Sequence, residues 1–238
     1  MIPRLGSDPA SPFPDPDTAL AEPDGLLAWG GDLDPLRLTN AYRQGIFPWY
    51  SQEQPILWWC PAQRCVLFPA EVHVSRRFRR TLRRAEFNVT ADTAFARVVA
   101  ACALPREAQD STWITPAMAE AYTRLHHLGI AHSIEVWRGD ELAGGLYGLA
   151  LGRLFFGESM FSRLTDASKV ALVALCRRLV AWDYALLDCQ LTNPHLESMG
   201  AVSIERAHFL AILRRHVDRQ ARVGSGSWQG PFEQPVAT

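Results

Sequence analysis

The feature that most constrains this chain is a change of hydrophobic period at His132. Before it, Met118, Ala121, Tyr122 and Leu125 recur at helical spacing, opened by Thr115-Pro116 and ended by Gly129. After it, residues 132–137, 141–150 and 153–157 alternate as strands, joined by turns at 138–140 and 151–152. Connections this short make antiparallel neighbours. A long amphipathic helix at about 167–182 follows, then an apolar strand 185–190, a helical turn 195–200, a strand 201–204 and a helix 206–216. Ahead of the meander, a strand at 64–68 precedes a helix that Ser75 caps and whose only apolar positions are Phe78 and Leu82. Asp92 reads as the cap of a further helix carrying Phe95, Val98, Val99 and Cys102. The order is α+β.

The first 25 residues hold six prolines and five acids without any period, and read as an extended arm over the surface. Residues 34–45 carry full helix punctuation: Asp34 to cap, Pro35 for the first turn, Gly45 past the end. Residues 46–50 and 56–61 then bring five aromatics, which suit a small core or a rigid wall that stacks a nucleobase. The expected division is a small N-terminal domain over 1–62, a larger unit over 63–222 and a flexible Gly/Ser/Pro-rich tail over 223–238. A chain of 238 residues is long enough for a sizeable core.

Charge is unevenly placed. The chain has 24 basic and 25 acidic residues, and every base but Lys169 is arginine. Arg76, Arg77, Arg79, Arg80, Arg83 and Arg84 fall within nine residues that contain no acid. Without them the remainder has 18 bases against 25 acids, so the basic segment points to an anionic partner at one place. A solvated helix face is the plainer alternative. No apolar run is long enough to span a membrane, the N-terminal segment has no signal-peptide pattern, and five cysteines without paired spacing suit reduced thiols. The expected setting is cytoplasmic. Phosphate-binding glycine loops and a serine-nucleophile elbow are absent. Cys60, Cys65 and His73 do not complete a zinc site, and His126, His127 and His132 around Gly129 read as helix-end partners. Neither metal nor cofactor is expected.

The element order resembles the acyltransferase fold whose best-known members use acetyl-coenzyme A. That implies a GNAT-like (acetyltransferase-like) C-terminal domain. Such folds hold pyrophosphate on a glycine-containing loop, and here the matching stretch 162–167 has no glycine, so no coenzyme A site is expected. Two carboxylates stand out. Glu158 ends a strand between Gly157 and Ser159, and Asp188 ends the apolar run at 184–187. Ligands bind at such strand ends, and a buried carboxylate is costly unless paired or used. Alternation sends Asp188 and Gln190 to one side and Cys189, a packing residue, to the other.

The strings GLLAWGGDL (25–33), AYRQGIFPWY (41–50), ILWW (56–59), TWIT (112–115), HSIEVWRGDELAGGLYG (132–148), FGESMFS (156–162), ASK (167–169) and LLDCQ (186–190) closely resemble the leucyl/phenylalanyl-tRNA–protein transferases. The resemblance runs in unbroken order over about residues 13–216. It implies transfer of Leu or Phe, less readily Met, from aminoacyl-tRNA to proteins with N-terminal Arg or Lys, which marks them for degradation. It implies that Trp49 and Trp113 hold the terminal adenosine of the tRNA and that the Arg76–Arg84 helix supports the acceptor stem. It also implies a side-chain pocket of Leu146, Phe155, Met160, Ser162, Leu172, Leu175, Leu179 and Leu187, and catalytic roles for Glu158, Asp188 and Gln190. Several helix positions are Leu where the family is expected to carry bulkier aromatics, which bears on the Leu/Phe ratio. In this reading Asp188 orients Gln190, whose amide oxygen holds the incoming amine, and Glu158 attracts the cationic substrate. General-base catalysis by Asp188 and a proton shuttle through the ribose hydroxyl stay open. A tRNA-docking module, an acetyltransferase and a transferase using Arg-tRNA are the rival readings. A monomer is expected.

Overall fold

The Pro-rich arm is tied into a sheet. In the computed structural model, which describes residues 2–104, 112–223, 226 and 228–232, Arg4–Leu5 (β1) pairs in parallel with Leu26–Gly30 (β2). Pro35–Tyr42 (α1) follows, its Asp34 cap accepting the Leu36 amide at 2.8 Å. Phe47–Pro48 (β3) and Leu57–Trp59 (β4) complete a four-stranded sheet in the order β1-β2-β4-β3. Fully buried Arg37 of α1 pins the arm by donating to the carbonyls of Gly6 and Asp8 at 2.8 and 2.7 Å. Phe13 meets Trp58 edge-on at 4.9 Å. The anchors are backbone carbonyls and one aromatic, which leave no period to read.

The rest of the described chain builds an eight-stranded sheet. Its elements are Gln63–Leu67 (β5), Arg76–Arg84 (α2), Asn88–Ala91 (β6), Phe95–Cys102 (α3), Pro116–His127 (α4), Ala131–Arg138 (β7), Glu141–Leu151 (β8) and Leu154–Ser162 (β9). Ala167–Ala181 (α5), Leu186–Gln190 (β10), Pro194–Ser198 (α6), Val202–Glu205 (β11), Arg206–His216 (α7) and Gly230–Phe232 (β12) follow. The strand order is β11-β5-β10-β9-β8-β7-β6-β12. The expected meander is its centre, with β9 running on past 157 to Ser162.

Both faces are covered. Leu154, Phe156 and Phe161 of β9 join a core with α3, α4 and the aromatics of the small sheet. Phe155 and Met160 face the other way, into a core with α5 and the inner stripe of α2. The close approach of α5 depends on Gly144 of β8, where a Cβ would stand 2.6 Å from that of Ala167. β9 and β10 are parallel but pair only through Leu186↔Leu154, Leu187↔Phe155 and Asp188↔Phe156. Beyond that point they part.

Three expectations are corrected. Asp92 is not the cap of α3, which begins after Ala94 with no side-chain cap. With φ at 56°, Asp92 turns its carboxylate inward, where it accepts the Ser133 amide at 2.9 Å and lies 2.8 Å from His132 Nδ1. His132 is therefore a strand residue held by a carboxylate, while His126 stacks on Phe95 at 4.2 Å. The expected flexible tail is ordered where it is described: Trp228 is buried and β12 pairs with β6. Residues 224, 225, 227 and 233–238 lie outside the described residues.

Candidate active site

Two bulges sit side by side where β9 and β10 part. On β9, Gly157 pairs with Gly148 and Ser159 with Tyr147, so Glu158 is the extra residue. On β10, Asp188 pairs with Val66 and Gln190 with Cys65, so Cys189 is extra. A bulge turns a strand and re-aims its side chains. Here it brings Glu158 and Gln190 to face each other, with Gln190 Nε2 3.5 Å from Glu158 Oε1.

Glu158 keeps partial access to solvent, but its carboxylate is closed in by phenols. Tyr42 of α1 donates to Oε1 at 2.8 Å and Tyr122 of α4 to Oε2 at 2.7 Å. The two hydroxyls are 2.6 Å apart. Among the described residues the buried hydroxyl of Tyr147 has no hydrogen-bond partner, and its ring meets Tyr122 edge-on at 5.4 Å. Burial pushes the Glu158 carboxyl up to about 7, against the pull of the two phenol hydrogen bonds. Burial, with the charge of Glu158 added, holds the phenols of Tyr42, Tyr122 and Tyr147 well above their ordinary range.

Asp188 has a different partner. Arg64 of β5 grips it with two bonds, Nε to Oδ1 at 2.7 Å and Nη2 to Oδ2 at 2.6 Å, and both side chains are 1% exposed. The guanidinium lies over the rings of Phe47 and Phe209, at 4.7 and 4.5 Å. Burial opposes the Arg64 charge, but the carboxylate beside it outweighs that and holds it more firmly protonated. Asp188 Oδ1 also accepts the backbone amide of Gln190 at 3.0 Å. Gln190 has φ at 54°, a conformation costly for a residue with a side chain. Asp188 thus reaches Gln190 through the backbone. Cys189, a free thiol, is hydrogen-bonded to the thiol of Cys65, and that hydrogen bond together with burial holds it well above the usual range, so it does not supply a nucleophile.

The pocket candidates come together on the α5 side of the sheet. Leu146, Phe155, Leu172, Leu175, Leu179 and Leu187 share one core and are 3% exposed or less, with Met160 half-buried at its margin. They pack on one another, so an entering side chain must displace them. Ser162 is not among them. It is exposed, and its hydroxyl accepts the Ser168 amide at 3.2 Å at the start of α5.

Trp49 is 42% exposed, and Trp113 is half-buried. Their segments touch, since Tyr50 Oη lies 3.5 Å from Thr115 Oγ1. The rings of Trp49 and Trp59 meet edge-on at 5.7 Å. On α2, Ser75 accepts the Phe78 amide at 3.2 Å, while Phe78 and Leu82 are buried. Arg76, Arg77, Arg80, Arg83 and Arg84 are exposed and Arg79 half-buried. The neighbouring Glu86 pairs with Arg138, and Asp166, which also accepts the Thr81 hydroxyl of α2 at 3.0 Å, pairs with Lys169.

From sequence alone Arg64, Tyr42 and Tyr122 carry no site role, and Tyr122 reads only as an inward position of its helix. A lone charge within the apolar strand 64–68 is the signal that points to Arg64. The tyrosines look like ordinary core positions of their helices. Among the described residues, no cluster of three or more His, Cys, Asp or Glu side chains is placed to hold a metal ion.

A family model described as leucyl/phenylalanyl-tRNA protein transferase matches residues 66–214, and the model of that transferase's N-terminal domain matches 31–62. The leucyl/phenylalanyl-tRNA–protein transferase of Stutzerimonas stutzeri is 59% identical over 219 residues, covering 92% of this chain and 96% of its own. That of Hahella chejuensis is 57% identical over 205 residues, with coverage of 86% and 88%. That of Nitrosomonas eutropha is 52% identical over 235 residues and covers 99% of each chain. Among solved structures, one titled "The structure of L-PGS from Bacillus licheniformis" covers 82% of this chain and 74% of its own at a TM-score of 0.38 and 8% identity. A likeness that remote carries no argument.

Proposed function

This chain belongs to the leucyl/phenylalanyl-tRNA–protein transferase family and is an aminoacyltransferase, and from that premise we propose the reaction it performs. It moves Leu or Phe, less readily Met, from aminoacyl-tRNA to the α-amino group of proteins that begin with Arg or Lys, which marks them for degradation. It works in the cytoplasm as a monomer, on a GNAT-like scaffold that binds no coenzyme A. No helix among the described residues is long and apolar enough to cross a membrane. The observation that supports this site is the meeting of Glu158 and Gln190 where β9 and β10 part.

The reaction is aminolysis of an ester. An α-ammonium group has an ordinary pKa near 8, so a carboxylate at about 7 is matched to take its proton. Glu158 removes one proton from the acceptor, and the neutral amine attacks the ester carbonyl. The C–N bond forms, the C–O bond to the ribose breaks, and the second amine proton goes to the departing ribose oxygen. Gln190, its Nε2 turned to Glu158, presents its amide oxygen to the amine. Asp188 is the positioning residue of this set, because Arg64 occupies both its oxygens while it holds the Gln190 backbone. The ester is already activated, so placement supplies much of the acceleration.

The leucine-rich core receives the transferred side chain, and an apolar pocket separates Leu, Phe and Met from smaller residues by about 1–3 kcal/mol per methylene. Trp49 and Trp113 stack the terminal adenosine, at about 1–3 kcal/mol per base. The arginines of α2 contact acceptor-stem phosphates, which position the tRNA without reading its sequence. Transfer of labelled Leu, Phe, Met and Arg from charged tRNA to a peptide beginning with Arg, against one beginning with Ala, tests the reading. Leu and Phe should enter only the Arg peptide. Equal labelling of both peptides, or none of either, would overturn it.

A further inference from the structure

The segment after α7 closes one side of the leucine-rich core. Trp228 is 6% exposed. Its ring lies flat on His132 at 4.0 Å and 8°, and beside Phe155 at 5.7 Å and 27°. Trp182 meets it edge-on at 4.8 Å. Its backbone amide donates to Asp92 Oδ2 at 3.1 Å, the oxygen that also faces His132 Nδ1 at 2.8 Å. The Gly226 amide donates to the Gly129 carbonyl at 2.7 Å, and β12 pairs along β6. His132, Trp228 and Phe155, from three separate stretches of chain, form one stack.

Phe155 has little freedom on its other sides. A Cβ on Gly148 would stand 2.6 Å from its ring, so the β8 backbone blocks it there. Its strand neighbours are Ala150 and Leu187, both buried. The core around it is closed, and a close-packed interior admits a new group only by moving an old one. For Phe155 the side covered by Trp228 is one that a side-chain substitution can open. The Trp228 segment itself is held by β12, the two backbone bonds just given, the Tyr184 hydroxyl on the Val223 carbonyl at 3.0 Å, and ring contacts with Trp182 and Tyr184.

We propose that Trp228 sets the depth of the side-chain pocket through Phe155, and with it the ratio in which Phe and Leu are transferred. The proposal rests on the transferase reading above. Trp228 is a positioning residue, since it acts through Phe155. The test is kcat/KM for Phe-tRNA and Leu-tRNA in the full chain, in Trp228→Ala and in Trp228→Phe. Taking the ratio cancels any loss of folded enzyme. Trp228→Ala should raise the Phe-over-Leu ratio about tenfold, the low end of what one methylene does in an apolar pocket. Trp228→Phe, which keeps a ring against Phe155, should raise it about threefold. Phe13→Leu loosens the other core and should leave the ratio at the parent value. A ratio within about twofold of the parent in the Trp228 variants, with transfer intact, overturns the proposal and leaves the transferase reading standing. If Trp228→Ala does not fold, Trp228→Phe decides by the same criterion. A parent chain that transfers neither residue overturns the transferase reading itself, and the proposal with it.

Discussion

Asp188 and Glu158 stand on neighbouring parallel strands within reach of the same Gln190, one gripped by a guanidinium and the other by two phenols. A guanidinium cancels the charge it binds. A phenol stabilises that charge by a hydrogen bond but cancels nothing, so burial still dominates and Glu158 rises to about 7. The two carboxylates therefore differ in kind. Asp188 holds the backbone at Gln190, and Glu158 carries a carboxyl raised to about 7, the value that the proposed proton transfer uses.

The largest effect should come from breaking the Asp188 side. Arg64→Met leaves a buried carboxylate without its cation and should cost about 3–5 kcal/mol in urea denaturation. The double variant Arg64→Met/Asp188→Leu should regain most of that stability and still transfer nothing. If the double variant is as unstable as the single one, the ion pair is not the source of the loss.

Next comes removal of the Glu158 charge. Because its folded pKa lies above the unfolded value of 4.5, its contribution to stability is full below about 4.5 and is lost as pH rises through about 7. Glu158→Gln should escape that loss and exceed the parent by about 1–3 kcal/mol above pH 7, while its transfer rate falls and loses the limb near pH 7. Stability curves at several pH values, compared between the two proteins, check this. Parallel curves would contradict it.

Tyr122→Phe is a finer probe. It removes one donor to Glu158, costs about 1 kcal/mol and should move the acid limb of transfer to higher pH, because that hydrogen bond pulls the carboxyl down. An unmoved limb would mean the phenol does not tune Glu158. The smallest change should come far from both carboxylates. Arg80→Ala should lower the salt dependence of tRNA binding by about one unit of slope and leave the pH limb in place.

How far the sequence could be read follows from what each residue type reveals locally. The flanking helices are legible because burial of one face imposes a period, and the meander because short turns at 138–140 and 151–152 bound strands that are buried on both faces. β9 reads short because the bulge at Glu158 interrupts the alternation. That same bulge aims the carboxylate, so the break in pattern marks the site. Glu158 and Asp188 could be picked out as carboxylates beside apolar runs, and Gln190 by its spacing from Asp188. The expectation that Glu158 ends its strand fails, because β9 continues through the bulge to Ser162. Arg64 is 124 positions from Asp188, and Tyr42 is 116 from Glu158, so only the assembled fold shows who partners them. Asp92 misleads for a related reason. An aspartate before a helical repeat has the same local sequence whether it caps the helix or faces a histidine from the next strand. Trp228, a single aromatic in a Gly/Ser-rich stretch, has no period at all.

Glu158, held by two phenols, should titrate near neutral pH. Carboxyl-labelled glutamate followed by carbon-13 NMR across the pH range reads this directly, with Glu158→Gln identifying the resonance. The expected midpoint is near 7, for a signal that vanishes in Glu158→Gln. A Glu158 signal with its midpoint at the ordinary glutamate value of about 4.3 would contradict it.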